Sequence, residues 1–129
     1  GGVVFVFAHA LTHGEDLTIY GDGEQTRDFV YVKDVEAANV AALQDEVKPG
    51  IYNISTTIET TVNALKEILF HLSGIRKDVH YEDERTGDIV RSALDNHKAK
   101  EILKWRPKEK IISGLASTYE YFVQEAERE

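Results

Sequence analysis

Two arginines sit in short polar motifs far apart in the chain. Arg27 closes Gly21-Asp-Gly-Glu-Gln-Thr-Arg-Asp28, and Arg85 opens Arg85-Thr-Gly-Asp-Ile-Val-Arg91. Arginine presents fixed, forked donors and keeps its proton. That chemistry suits a group with two negative charges and several acceptor oxygens, such as a diphosphate. The 129-residue chain carries a formal net charge of −8, so an anionic ligand needs cations gathered locally from separate segments. Taken one at a time, each arginine reads more plainly as a solvated surface residue. The same charge argues against general binding to nucleic acid or to an anionic membrane surface.

Other candidate motifs fail on spacing. Gly21-x-Gly23 is not a dinucleotide fingerprint, because that motif must open a helix and Gly23 leads toward a strand around Phe29. Asp22-x-Glu24-x-Thr26 is not a calcium loop, since Arg27 and Lys33 occupy the glycine and bidentate-glutamate positions. His9 and His13 share a helix face at i, i+4. Ala10 stands where a zinc protease has Glu, so no metal is expected and a structural role is.

These side chains need elements to hold them. Segment 3–13 reads as a helix ending at Gly14, although its β-branched content leaves a buried strand open. Leu17 to Tyr20 is a short strand running into a Gly-Asp-Gly turn. Asp28 to Val32 is expected to be a second strand, with Asp34 capping a helix from Val35 to about Asp45. That helix is apolar almost all round and so is expected to be buried on more than one side. Ile51 to Ile54 reads as a strand. Thr60 or Thr61 caps a helix with Val62, Leu65, Leu69 and Leu72 on one face, ended by Ser73-Gly74. Val79 to Tyr81 is a strand. Asp95 caps a helix that stops before Arg106-Pro107, and a last helix carries Ile112, Leu115, Tyr119, Phe122, Val123 and Ala126 on its apolar face. With no repeat or linker, residues 1–129 read as one unit or a piece of one.

Taken together, the Gly21–Asp34 stretch, Arg85-x-Gly87-Asp88, Leu94-Asp-x-x-Lys98-Ala99 and Leu103-Lys-Trp105-x-Pro107 resemble the carboxy-terminal, substrate-binding part of the NAD-dependent nucleotide-sugar epimerases and dehydratases, the extended short-chain dehydrogenase/reductase family. The resemblance implies an α/β fold, a carboxy-terminal portion of a Rossmann-like architecture with short strands and about five helices. It further implies that Arg27 and Arg85 contact the diphosphate of a bound nucleotide and that Asp88 bonds its ribose hydroxyls. Thr18 and Tyr20 would hold the uracil ring, and Phe29 would line the same pocket. Three departures from the family pattern stand out, one being the segment after Gly2, where His9 and His13 stand in a helix that in the family more often carries Asp and Arg. Ser55-Thr-Thr57 replaces a glycine-rich stretch after Tyr-Asn-Ile, and Lys104 replaces a common glycine before Trp105.

The resemblance points to the sugar 4-epimerases, which interconvert UDP-glucose and UDP-galactose. Their NAD takes a hydride from C4 of the sugar and returns it to the other face of the ketone. A related decarboxylase or 4,6-dehydratase, or a non-catalytic nucleotide-diphosphate or protein-interaction module, is the alternative. No tyrosine here has Lys four residues on, and the glycine-rich cofactor loop is not seen. The family's amino-terminal, dinucleotide-binding half is therefore expected to be absent, with no catalytic residue and no NAD site in this stretch and negligible activity for it alone. The chain begins with Gly and contains no Met, which suggests a portion of a longer protein. Its expected partners are a UDP-sugar and the missing half, in cis or as another chain, with self-association. The absence of Cys fits a reducing cytoplasm, and no segment reads as a membrane span.

Overall fold

The computed structural model describes residues 2–129. Among these residues there are five helices and four short strands, an α/β arrangement. Helix α1, Val3–Thr12, buries Phe7, Ala8, Ala10 and Leu11. It ends where Gly14 turns left-handed (φ 70°) and Glu15 N donates to Ala10 O. Strand β1, Leu17–Tyr20, alternates as the period-two rule requires, with Leu17 and Ile19 buried and Tyr20 exposed. A two-residue strand β2, Thr26–Arg27, follows the glycine turn, and helix α2 spans Val32–Ala42. Strand β3, Thr60–Thr61, pairs antiparallel with β2 and runs into helix α3, Val62–Ser73. Thr61 caps α3 by accepting from Ala64 N at 3.0 Å, and Gly74 closes it at φ 69°. Strand β4, Val79–Glu82, pairs parallel with β1 from Leu17↔Val79 to Tyr20↔Glu82. Helices α4, His97–Ile102, and α5, Ile111–Glu127, complete the chain.

The main core lies where α1, α3 and α5 meet over β1, around Phe7, Leu11, Leu17, Ile19, Leu65, Leu69 and Leu115. A second, smaller cluster joins Ala38 of α2 to Ala99, Leu103 and Trp105. Asp34 staples it: its carbonyl accepts from Trp105 Nε1 at 2.8 Å, and its carboxylate accepts from the amides of Lys108 and Glu109. No helix among the described residues is long and apolar enough to cross a membrane.

The elements depart from the sequence expectation at six places. Residues 28–32 do not form a strand, because the Asp28 carboxylate is engaged by the amides of Thr56 and Thr57 and the ladder stops at Arg27. Asp34 is not the N-cap. Helix α2 starts at Val32 behind Tyr31, whose carbonyl accepts from Asp34 N, while the Asp34 carboxylate serves the 108–109 turn. That helix is not buried on several sides, for Val40 and Leu43 are exposed. Residues 51–54 pair with no strand and Ile51 is 85% exposed. A lone extended segment has no ladder to hold it. Asn96 takes the N-cap position of α4, although the Asp95 carboxylate still accepts His97 N, and Ile112 of α5 faces solvent.

Candidate functional site

A cleft of about 500 Å³ opens at the carboxyl ends of β1 and β4, floored by the apolar face of α1 through Val3, Val6 and Phe7. That size lies in the range of small-molecule sites. Thr18, Tyr20, Arg27, Phe29, Arg85 and Asp88 all line it. Two arms reach it. The first leaves β1 through a turn with Gly21 at φ 94° and Gly23 at φ 81°, then enters β2. A Cβ at Gly23 would lie 2.2 Å from Asn63 Oδ1, so any side chain there would displace the Asn63 carboxamide. Asn63 fixes the turn by donating to Asp22 O and to Glu24 Oε1, and it accepts from the Tyr81 hydroxyl at 2.8 Å.

The second arm leaves β4 after Glu82, whose carbonyl accepts from Gly21 N at 2.8 Å. It then runs as an exposed loop in which Gly87 takes φ 85° and Asp88 N donates to Arg85 O. The two arms are tied together. Thr26 N donates to Val90 O at 2.8 Å, and Arg27 Nη1 donates to Ile89 O at 2.7 Å and to its neighbour's carbonyl, Thr26 O. Both of the Arg27 bonds among the described residues use Nη1, so the remaining donors of the fork are available to a ligand. The Arg85 guanidinium lies 3.8 Å from the centre of the Tyr20 ring, a cation–π contact across the arms. The Tyr20 carbonyl accepts from Gln25 Nε2 at 2.9 Å, so one polar group at the expected base site already has a protein partner.

Three contributors were not evident from the sequence. Glu59 joins the arms: it accepts from Thr26 Oγ1 and, through both oxygens, from Arg91. Those hydrogen bonds, from Arg91 foremost, hold its carboxyl down at about 2. Asp28 folds the 55–57 segment against the cleft's rim through the Thr56 and Thr57 amides and the Thr56 hydroxyl. Asn63 reads in sequence as one more helical polar residue. No local pattern marks Glu59 or Asn63, and none shows what the Asp28 carboxylate binds, because the partners are distant in the chain. His9 and His13 lie outside the cleft. Their rings stack at 4.0 Å, and His13 Nε2 bonds Glu129 at 2.7 Å, which raises the imidazole's pKa.

The cleft can receive an extended ligand with an anionic centre beside the arginines and an apolar, aromatic end against α1 and Phe29. The described residues do not offer the strand–glycine loop–helix that NAD binding uses, because Gly21 and Gly23 lead into β2 instead of into a helix.

The NAD dependent epimerase/dehydratase family model matches residues 1–55. A UDP-glucose 4-epimerase of Mycolicibacterium smegmatis is 37% identical over 94% of this chain and 39% of its own length. A UDP-glucuronic acid decarboxylase 1 of Xenopus tropicalis is 33% identical over the whole chain and 30% of its own. The crystal structure of a UDP-glucose 4-epimerase with UDP-glucose from Thermotoga maritima superposes with a TM-score of 0.92 at 43% identity, covering 97% of this chain and 40% of that one. In sequence and fold the chain is thus similar to the NAD-dependent epimerase/dehydratase family, matching a carboxy-terminal portion of that architecture. Of that family's members it is like the UDP-glucose 4-epimerases. The chain spans 30% to 40% of the length of these relatives.

Proposed function

We propose that this chain is the nucleotide-sugar-holding portion of an NAD-dependent sugar 4-epimerase acting on UDP-glucose and UDP-galactose. The observation that carries the reading is the convergence of Arg27, Arg85 and Asp88 with Thr18, Tyr20 and Phe29 on one cleft, although they come from segments 17–29 and 85–88. Arg27 and Arg85 neutralise the diphosphate, Asp88 accepts from the ribose hydroxyls, and Thr18, Tyr20 and Phe29 enclose the base. The chain's own contribution is positioning: a nucleotide anchored at these points leaves its sugar in a fixed place for chemistry. The cofactor and the proton-transfer pair belong to residues outside this stretch, and no catalytic step is assigned to it.

Calorimetric titration with UDP tests the reading, with dTDP and NAD as comparisons. Saturable UDP binding weakened about tenfold or more in Arg85→Ala is expected, the loss of one charge-assisted contact. A wild-type chain that ignores UDP, or an Arg85→Ala variant that binds equally well, overturns it. The decarboxylase relative supports a second reading in which the same cleft takes UDP-glucuronic acid. Competition between UDP-glucose and UDP-glucuronic acid separates the two. The exposed Val40, Leu43, Ile51 and Ile58 support a further partner, namely the remainder of such a fold or a second copy of this chain. Light scattering that shows a monomer at high concentration argues against self-association.

A further inference from the structure

We propose that Glu59 is a positioning residue that locks the two arginine-bearing arms of the cleft together, setting affinity for a diphosphate it does not touch. The inference rests on the nucleotide-binding reading above.

The 81–91 arm is exposed at every residue, so apolar packing does not fix its course. Its place is set by polar ties to the other arm, and Glu59 makes the side-chain tie at the far end. Oε1 accepts from Thr26 Oγ1 at 2.8 Å and from Arg91 Nε at 2.8 Å, while Oε2 accepts from Arg91 Nη2 at 2.5 Å. Thr26 adjoins Arg27, and Arg91 follows the Arg85–Asp88 turn in the same loop. One carboxylate therefore grips both arms just beyond the residues proposed to bind. Glu59 itself is well anchored, directly before β3 and the capped start of α3, and its side chain is only 26% exposed. An ordinary exposed ion pair contributes little. This one differs in being two-pronged and in sharing an oxygen with a third group.

Glu59→Gln in the 129-residue chain is the test, read three ways. Hydrogen exchange at the Thr26 amide, which donates to Val90 O, is expected to speed up about tenfold, while the Val62 amide, donating to Gln25 O, is unchanged. Affinity for UDP is expected to fall about tenfold with uridine affinity unaltered, since only the diphosphate meets both arginines. In an Arg91→Gln background the same substitution should cause no further loss. Unchanged Thr26 exchange overturns the clamp. Equal losses for UDP and uridine, or losses that add across the two variants, overturn its role in affinity. A wild-type chain that does not bind UDP overturns the nucleotide reading and the affinity half of the inference together, and the exchange measurement still decides the clamp.

Discussion

Leu65 and Leu69 are fully enclosed in the cluster shared by α1, α3, α5 and β1, with Phe7, Leu11 and Leu115 around them. Leu103 and Trp105 instead close a cluster of four buried residues, and nearby Val40, Leu43 and Ile51 of the same part of the chain face solvent. The first region buries a continuous apolar cluster drawn from three helices and a strand. The second presents apolar side chains without covering them, and it contains 51–54, one of the two expected strands that do not form. Buried area, not intrinsic preference, decides which segments adopt the structure their patterns encode.

The largest effects should separate the two regions. Leu65→Ala is expected to destabilise the chain by about 4 kcal/mol and Leu103→Ala by about 2 kcal/mol, read from urea midpoints. Equal losses would dissolve the distinction. The single tryptophan gives an independent view, because Trp105 sits in the smaller cluster. Its fluorescence should change at lower urea than the helical circular dichroism; coincident transitions would mean one cooperative unit.

Gly23→Ala comes next, on the side of the cleft. A Cβ at φ 81° and 2.2 Å from Asn63 Oδ1 should cost about 2 kcal/mol or more, with part recovered by Asn63→Ala. Full tolerance of the alanine would show that the turn is softer than its hydrogen bonds imply.

The legible parts of the fold were those with self-contained signals. Helix α3 was readable because Thr61, the Val62–Leu65–Leu69 stripe and Gly74 all agree. The glycine turn and both parallel strands were readable for similar reasons. Asp34 misled because an aspartate beside an apolar run looks like a cap, and only the distant 108–109 turn reveals its use. The Ile51–Ile54 pattern is strand-like, but a strand needs a neighbour. The residues expected to bind rest on the family resemblance, and the fold brings them to one cleft. Glu59 was invisible, since its partners Thr26 and Arg91 lie about thirty positions to either side.

The two departures from the family's glycines sharpen the comparison further. Among the described residues, Thr57 and Lys104 are the non-glycine residues with positive φ, 66° and 55°. Lys104→Gly and Thr57→Gly are each expected to stabilise by about 1 kcal/mol, the left-handed penalty less the added entropy of the unfolded glycine. Loss of stability would show that these side chains make compensating contacts.

The smallest effects follow pH. The folded Glu59 value of about 2 lies below the unfolded carboxyl, so its contribution is present above about pH 4.3 and is lost as pH falls toward 2. The His13 value is raised, chiefly by Glu129, so its contribution holds below its unfolded pKa and is lost as pH rises through the folded one. Thermal midpoints across pH should show both limbs, with Glu59→Gln flattening the acid one and His13→Gln the alkaline one.

The parallel pairing of β1 with β4 also bears on how the cleft comes into being. Leu17 cannot meet Val79 until the intervening α2 and α3 have been made, and closing so long a loop is a slow, non-local event. A chain still on the ribosome with Glu82 inside the exit tunnel has Arg27 displayed and Arg85 not yet in reach. Ligand-binding competence should therefore arrive late and in one step, after the helices have formed. During that interval the bare edge of β1 is the segment a chaperone would need to shield.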